Sequence, residues 1–263
     1  MIVKDKSGFP LCVFPSFEKA GVSHGISTRL GGVSEGHLAT LNLGYSRGDE
    51  KEKVTENFNR FCSACGVKLE DTVFSAQVHK TDLLQATSAL KRDEPGPSQL
   101  NCVDGLHTNE PGVALVTFFA DCVPLLFYDP VEKVVAASHA GWRGTAAMIG
   151  MKTVETMQEV YGSKPENILA GIGPSIGPCC FEVDEPVVDA FLESVPDCEP
   201  FISALYKNEK RKIDLWGCNK HILLLAGLKG KNIDCAPLCT CCHSGLFYSH
   251  RRDGDKRGSL AAL

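Results

Sequence analysis

The sequence predicts a mixed α/β domain, and three observations carry that prediction. Residues 113–119, 124–128 and 134–140 are strand-length runs filled with β-branched and aromatic residues. Being apolar throughout, they read as strands buried on both faces. Stretches 49–65, 145–161 and 214–227 show helical periodicity with one apolar face, and short strand-like runs recur between them, which places helices against a sheet.

The elements follow in order. Leu11, Val13 and Phe14 mark a first strand and turn. His24-Gly25-Ile26-Ser27-Thr28-Arg29 reads as a strand running into Gly31-Gly32, where backbone can approach a ligand closely and Arg29 can offer a charged fork; taken alone, the stretch fits a hairpin turn with a surface arginine better. In 49–65, Val54, Phe58, Phe61, Cys62 and Cys65 share one face, and Gly66 follows as a stop. Residues 73–79 alternate as a strand ending in His79, and 91–101 form a polar, proline-containing loop. Asp129-Pro130 is a turn between the second and third apolar runs. In 145–161, Ala147, Met151, Val154 and Tyr161 share a face, with Thr145 as the cap. A short strand over 168–173, a helix capped by Asp184 and a helix capped by Asp214 complete the series.

The chain has 263 residues, a net charge of −5, 43% hydrophobic and 22% charged residues. These are values of an ordinary globular protein, here expected as one domain over 1–263. No basic run marks a nucleic-acid face, no stretch is long enough for a bilayer span, and the first residues lack a signal-peptide core. A cytoplasmic protein with no nucleic-acid or membrane partner is the expectation; the oligomeric state stays open. Thirteen cysteines without an export signal point to reduced thiols, a few of them ligands or nucleophiles.

Polar residues at the ends of apolar strands are costly to bury without partners, and they mark the site. Asp121-Cys122 interrupts the first junction, Ser138-His139 ends the third run, and Gly141-Trp142-Arg143-Gly144 leads into a helix whose N-terminus, beside an arginine, is a natural anion site. His79, Cys122 and His139 support three readings: a metal centre, a Cys122 nucleophile with a histidine base, or unrelated core residues. Two imidazoles and a thiolate with an open fourth position suit catalytic zinc. Copper accepts the same set, but Met148, Met151 and Met157 all fall on one predicted helix, which disfavours a copper site with an axial methionine. Cys239, Cys241 and Cys242, with His243, form a second cluster that suits structural zinc but lacks a nearby pair to complete four ligands, and adjacent Cys179 and Cys180 are expected to point apart as poor joint ligands.

STRLGGVSEG with a following LNLG, then QVH, ADCVPLLFYDP, ASHAGWRGT, GIGPSIGPCCFEV and a terminal CT followed by FYSHRRDG resemble the YfiH-type laccase-domain, or polyphenol oxidase-like, family. That family is read as zinc-dependent purine nucleoside phosphorylases, and the likeness runs from about residue 24 to 257. It implies a four-layer α/β/β/α sandwich with two mixed β-sheets, similar to the catalytic domain of cytotoxic necrotizing factor toxins. It implies metal ligation by His79, Cys122 and His139, phosphate at Arg143, a pocket lined by Arg29 and Asn42, and ligand-orienting roles for Asp121 and Gln77. The implied substrates are phosphate with adenosine, inosine, guanosine or methylthioadenosine, with adenosine deamination as a second activity. Copper-dependent phenol oxidation, the family's older label, and a metal-free cysteine hydrolase or cell-envelope partner protein are the alternatives. Lys80 stands where the family often has glycine.

Overall fold

The computed structural model describes residues 2–6, 9–91, 102–204 and 210–263; the polar loop expected over 91–101 lies, apart from residue 91, outside them. Two six-stranded mixed sheets stand at its centre. The first runs β1 (Ile2–Lys6), β2 (Phe9–Val13), β3 (Ile26–Ser27), β14 (Leu260–Ala262), β7 (Ala114–Phe119), β4 (Thr72–Phe74). The second runs β13 (Ile233–Cys235), β10 (Leu169–Ile172), β8 (Val123–Asp129), β9 (Val134–Ala140), β6 (Gly105–Thr108), β5 (Leu83–Gln85). The pairs β4–β7, β5–β6 and β10–β13 are parallel and the other pairs within these sheets antiparallel. A two-stranded ribbon joins β11 (Glu182–Val183) to β12 (Arg211–Lys212).

Side-chain alternation along the strands builds the layers. Leu11 and Val13 of β2 and Val116 of β7 pack on Val54, Phe58, Phe61 and Cys62 of α2 (Lys51–Cys65). The alternate residues Cys12, Leu115 and Phe119 meet Leu126 and Tyr128 of β8 and Ala137 of β9 between the two sheets. Leu125, Phe127 and Ala136 face the other way, onto α4 (Ile149–Tyr161), α5 (Glu185–Ser194) and α6 (Leu215–Leu225). The order is therefore helix, sheet, sheet, helix, and all seven residues of β8 are buried, as its unbroken apolar character predicts.

Local signals explain several ends. Gly66 stops α2 in the left-handed region at φ 79. Asp214 accepts from the backbone N–H groups of Trp216 and Gly217 and starts α6. Asp129 Oδ1 accepts from Val131 N and Glu132 N, closing the β8–β9 hairpin.

Three expectations are corrected. The helix expected over 145–161 is two: α3 (Trp142–Ala146) ends before Met148, which is left-handed at φ 56, and α4 then lies flat on the second sheet with Gly150 against Leu125 and Leu223. Thr145 is no cap; its hydroxyl donates to Ala140 O. The strand expected over 73–79 ends at Phe74, so His79 sits in a loop.

One close approach limits the packing between the sheets. A Cβ on Gly171 of β10 would lie 2.3 Å from the Phe14 ring, and Phe14 is fully buried against Phe17 and His24. Gly171→Ala is expected to destabilise the fold by about 1–3 kcal/mol, read as a lower urea midpoint at unchanged slope.

Candidate metal centre

The chain crosses from the first sheet to the second twice near one end of the sandwich. The β4–β5 crossing carries His79, and the tight β7–β8 crossing carries Cys122. His139 is the penultimate residue of β9. The ligand atoms of these three side chains lie within 4.8 Å of one another, and the two imidazole rings meet edge to face at 4.9 Å. A Cβ on Gly141 would stand 3.2 Å from Cys122 Sγ, 3.4 Å from His79 Cδ2 and 3.5 Å from His139 Cε1. Only a glycine leaves this much room at the start of α3.

Asp104, just before β6, holds the group together. Its buried carboxylate accepts from the backbone N–H of Val78 (3.1 Å), His79 (2.9 Å) and Lys80 (2.8 Å). It also meets His139 Nδ1 at 2.9 Å, and its carbonyl oxygen accepts from His139 N at 2.7 Å. Nε2 of His139 is thereby left for a ligand bond, the usual division of an imidazole between metal and carboxylate. His79 is held at φ 61, a region that costs a non-glycine residue free energy and needs such a tether. Burial alone would push the Asp104 carboxyl up, but His139 and the backbone amides of Lys80 and Val78 bring it below the usual carboxylate range.

Without a bound cation the thiol and imidazole exchange roles. Desolvation pushes Cys122 up, yet the His139 imidazolium and hydrogen bonds from both histidines bring it down to about 6 from its ordinary 9.0. Desolvation likewise works against a charged His139, but the Cys122 thiolate and Asp104 raise it to about 9 from 6.5. Taken singly, the Cys122 contribution to stability is complete above pH 9.0 and lost as pH falls through about 6. The His139 contribution is complete below pH 6.5 and lost as pH rises through about 9. The coupled pair binds nearly the same number of protons folded as unfolded, so stability changes little between pH 6.5 and 9. The ion pair shows in thiol reactivity instead.

Two cavities open onto the centre. One of ≈ 580 Å³ is lined by His79, Cys122 and His139 together with Arg47, Gln77 and Arg257. The other, of ≈ 470 Å³, shares His79 and Cys122 and adds Arg143, Phe181, Glu182 and Arg251. The Arg143 guanidinium lies 4.2 Å from the centre of the Trp142 ring. Burial and the nearby Arg257 hold Arg47 below its ordinary value, and Arg257 Nε is buried without a hydrogen-bond partner among the described residues. Two arginine walls therefore flank the centre.

Of the other sequence-predicted residues, Gln77 lines the larger cavity and Asp121 the smaller, while Arg29 and Asn42 sit beside them. Arg29 does not line either one: Nε and Nη2 donate to Ala39 O, Nη1 donates to Ser244 O, and the guanidinium covers the Tyr248 ring at 4.6 Å. Asn42 is fully buried, and its Oδ1 accepts from Gly44 N and Ser259 N, fixing the turn that carries Arg47. Asp121 contacts no ligand nitrogen. It accepts from Thr240 Oγ1, Ser249 Oγ and Arg251 N, and so ties the C-terminal segment behind Cys122 with its own backbone at φ 81. Gln77 exchanges both amide bonds with the Phe118 backbone and so extends the first sheet toward His79. Asp104, Gly141, Arg47 and Arg257 are the residues that sequence reasoning missed. An aspartate opening a strand and a glycine after a histidine are too common to stand out.

Asp104→Asn replaces one acceptor oxygen by a donor facing N–H groups. It is expected to cost about 1–3 kcal/mol of stability and roughly 10–100-fold in zinc affinity, measured by urea unfolding of the metal-free protein and by competitive zinc titration. In metal-free protein, alkylation of Cys122 is expected to be half-maximal near pH 6 and to be blocked by zinc. A midpoint near the ordinary thiol value contradicts the ion pair.

Comparison with known proteins agrees with this architecture. Residues 23–263 match the family model described as multi-copper polyphenol oxidoreductase laccase. The chain is 37% identical to the purine nucleoside phosphorylase YlmD of Geobacillus stearothermophilus, over 99% of this chain and 95% of that protein. It is 37% identical to a purine nucleoside phosphorylase of Bacteroides thetaiotaomicron over 92% of this chain and 90% of that one. The crystal structure of YlmD from Geobacillus stearothermophilus superposes with a TM-score of 0.90 at 36% identity, covering 99% of this chain and 97% of the other. The chain belongs to the laccase-domain family that includes YlmD and YfiH.

Proposed function

We propose that the protein is a zinc-dependent purine nucleoside phosphorylase, converting adenosine, inosine, guanosine or methylthioadenosine and phosphate to free base and pentose 1-phosphate, with adenosine deamination as a second activity. The observation that carries this reading is the convergence of His79, Cys122 and His139 beside two arginine-walled cavities. The names of the relatives supply the reaction class. The donor set fits zinc: three ligand atoms from three separate segments, one imidazole oriented by a carboxylate, and no methionine lining either cavity.

When bound, the ion supplies Lewis acidity and lowers the pKa of a coordinated water. The chain's own groups do the rest. Arg143 holds the phosphate dianion beside the anomeric carbon of the ribose, and Phe181 in the same cavity offers an apolar face to the purine. Asp104 keeps the His139 proton on Nδ1 throughout. The departing purine takes a proton as the N-glycosidic bond breaks, and His250 lines the cavity where that proton is needed. Arg47 and Arg257 form the competing phosphate wall. No described helix is long and apolar enough to cross a membrane; a reducing, cytoplasmic compartment suits a chain of thirteen cysteines that needs several of them as thiolate ligands.

A metal-free cysteine hydrolase is the second reading, favoured by the low Cys122 pKa. Zinc dependence separates the two, and metal analysis separates zinc from copper. Purified protein given adenosine and phosphate is expected to form adenine and ribose 1-phosphate, and inosine when phosphate is withheld; formation of none of these products overturns the proposal. His79→Ala and Cys122→Ala are expected to lose the metal at this centre and both activities. Arg143→Ala is expected to raise the KM for phosphate about 10–100-fold while sparing deamination. The same effect from Arg47→Ala, with none from Arg143→Ala, moves the phosphate to the other wall.

A further inference from the structure

The described residues bring a second group of ligands together, away from the first. Cys179, Cys180, Cys239 and Cys242 place their four sulfurs within 4.8 Å of one another. Cys242 Sγ lies 3.5 Å from Cys179 Sγ and 3.4 Å from Cys180 Sγ. The edge of a zinc–sulfur tetrahedron with bonds of about 2.3 Å is about 3.8 Å, so the sulfurs already stand close to the spacing such a site needs. A disulfide needs about 2.05 Å, and Cys242 stands about equally near two candidate partners. The expectation that adjacent Cys179 and Cys180 point apart is thus corrected: the turn that follows Gly177 brings both to Cys242. Cys239 and Cys242 supply the CxxC pair, while Cys241 stays outside the group.

We propose that these four cysteines bind one zinc ion in a closed, four-thiolate structural site. The ligand loops are already joined without it: Ser175 and Cys239 form a parallel bridge, and Thr240 N donates to Ser175 O. Gly177 N donates to Cys239 Sγ at 3.3 Å, the N–H···S contact that steadies a metal thiolate. Four soft donors and no open position select zinc over magnesium or calcium and leave no corner for a reacting water. Such an ion would cross-link two segments about sixty residues apart, the first of which lines the smaller cavity through Ile176, Phe181 and Glu182. Arg251, whose backbone is held by Asp121 beside Cys122, donates to Cys180 O and Glu182 O, while Arg252 donates to Thr240 O and Cys241 O. The site is independent of the proposed reaction and concerns the wall rather than the chemistry.

The test is zinc content and X-ray absorption at the zinc edge, on full-length protein purified under reducing conditions with zinc supplied. Two zinc ions per chain with a mean of about 2.5 sulfur neighbours each are expected if both centres fill, because one centre has one sulfur and the other four. Cys180→Ser/Cys242→Ser is expected to lose one zinc and leave the low-sulfur one; Cys241→Ser is expected to keep both. One zinc with four sulfurs in the wild type supports this site while counting against the His79–Cys122–His139 centre. One zinc with a single sulfur, or no zinc, overturns the proposal, and this wild-type measurement decides even if the serine variants fail to fold.

Discussion

One buried carboxylate sets the geometry on which the centre depends. Asp104 receives three consecutive amides from the loop carrying His79 and both the ring and the backbone of His139. It thereby fixes two of the three candidate ligands to a single point at the start of β6. A carboxylate suits the task because it accepts several bonds at once, and charged acceptors bond about twice as strongly as neutral ones. The left-handed backbone at His79 persists because that acceptor compensates it.

The four-layer fold explains why the remaining pieces meet there. A sandwich of two sheets needs connections from one sheet to the other, and here two of them fall at the same end and side. The shortest, between β7 and β8, turns through Asp121 in the left-handed region and delivers Cys122 at the mouth of both cavities. The C-terminal segment closes the site from behind, through Thr240, Ser249 and Arg251 on Asp121. The ligand chemistry is thus set at strand ends and crossings, while the apolar layers behind them supply rigidity.

Much of this was legible in the sequence, for physical reasons that differ by element. β7, β8 and β9 announce themselves because strands buried on both faces are apolar throughout. α2 does so because its buried face repeats at helical spacing and ends in a glycine. Cys122 and His139 stand out as polar residues at the margins of such strands, and His79 as the polar end of an apolar run whose strand stops at Phe74. The break at Met148 left no mark, because no proline or glycine forces it; packing against the second sheet does. Arg29, Asn42, Asp121 and Gln77 show a related limit. Their residue types suit a pocket, yet each side chain is engaged by backbone or hydroxyl groups of a distant segment. Long-range partners of that kind, like those of Asp104, cannot be read from local spacing.

The family name speaks of copper and phenols, its named relatives of phosphorolysis. The proposed phosphorolysis rests on a cation held by His79, Cys122 and His139. The most direct test is therefore an anomalous difference map from crystals grown with zinc. A single peak bonded to Nε2 of His139, to His79 and to Cys122 Sγ, with one position open to the cavities, is the predicted result. Three side chains turned to separate regions, with no peak between them, would contradict the account.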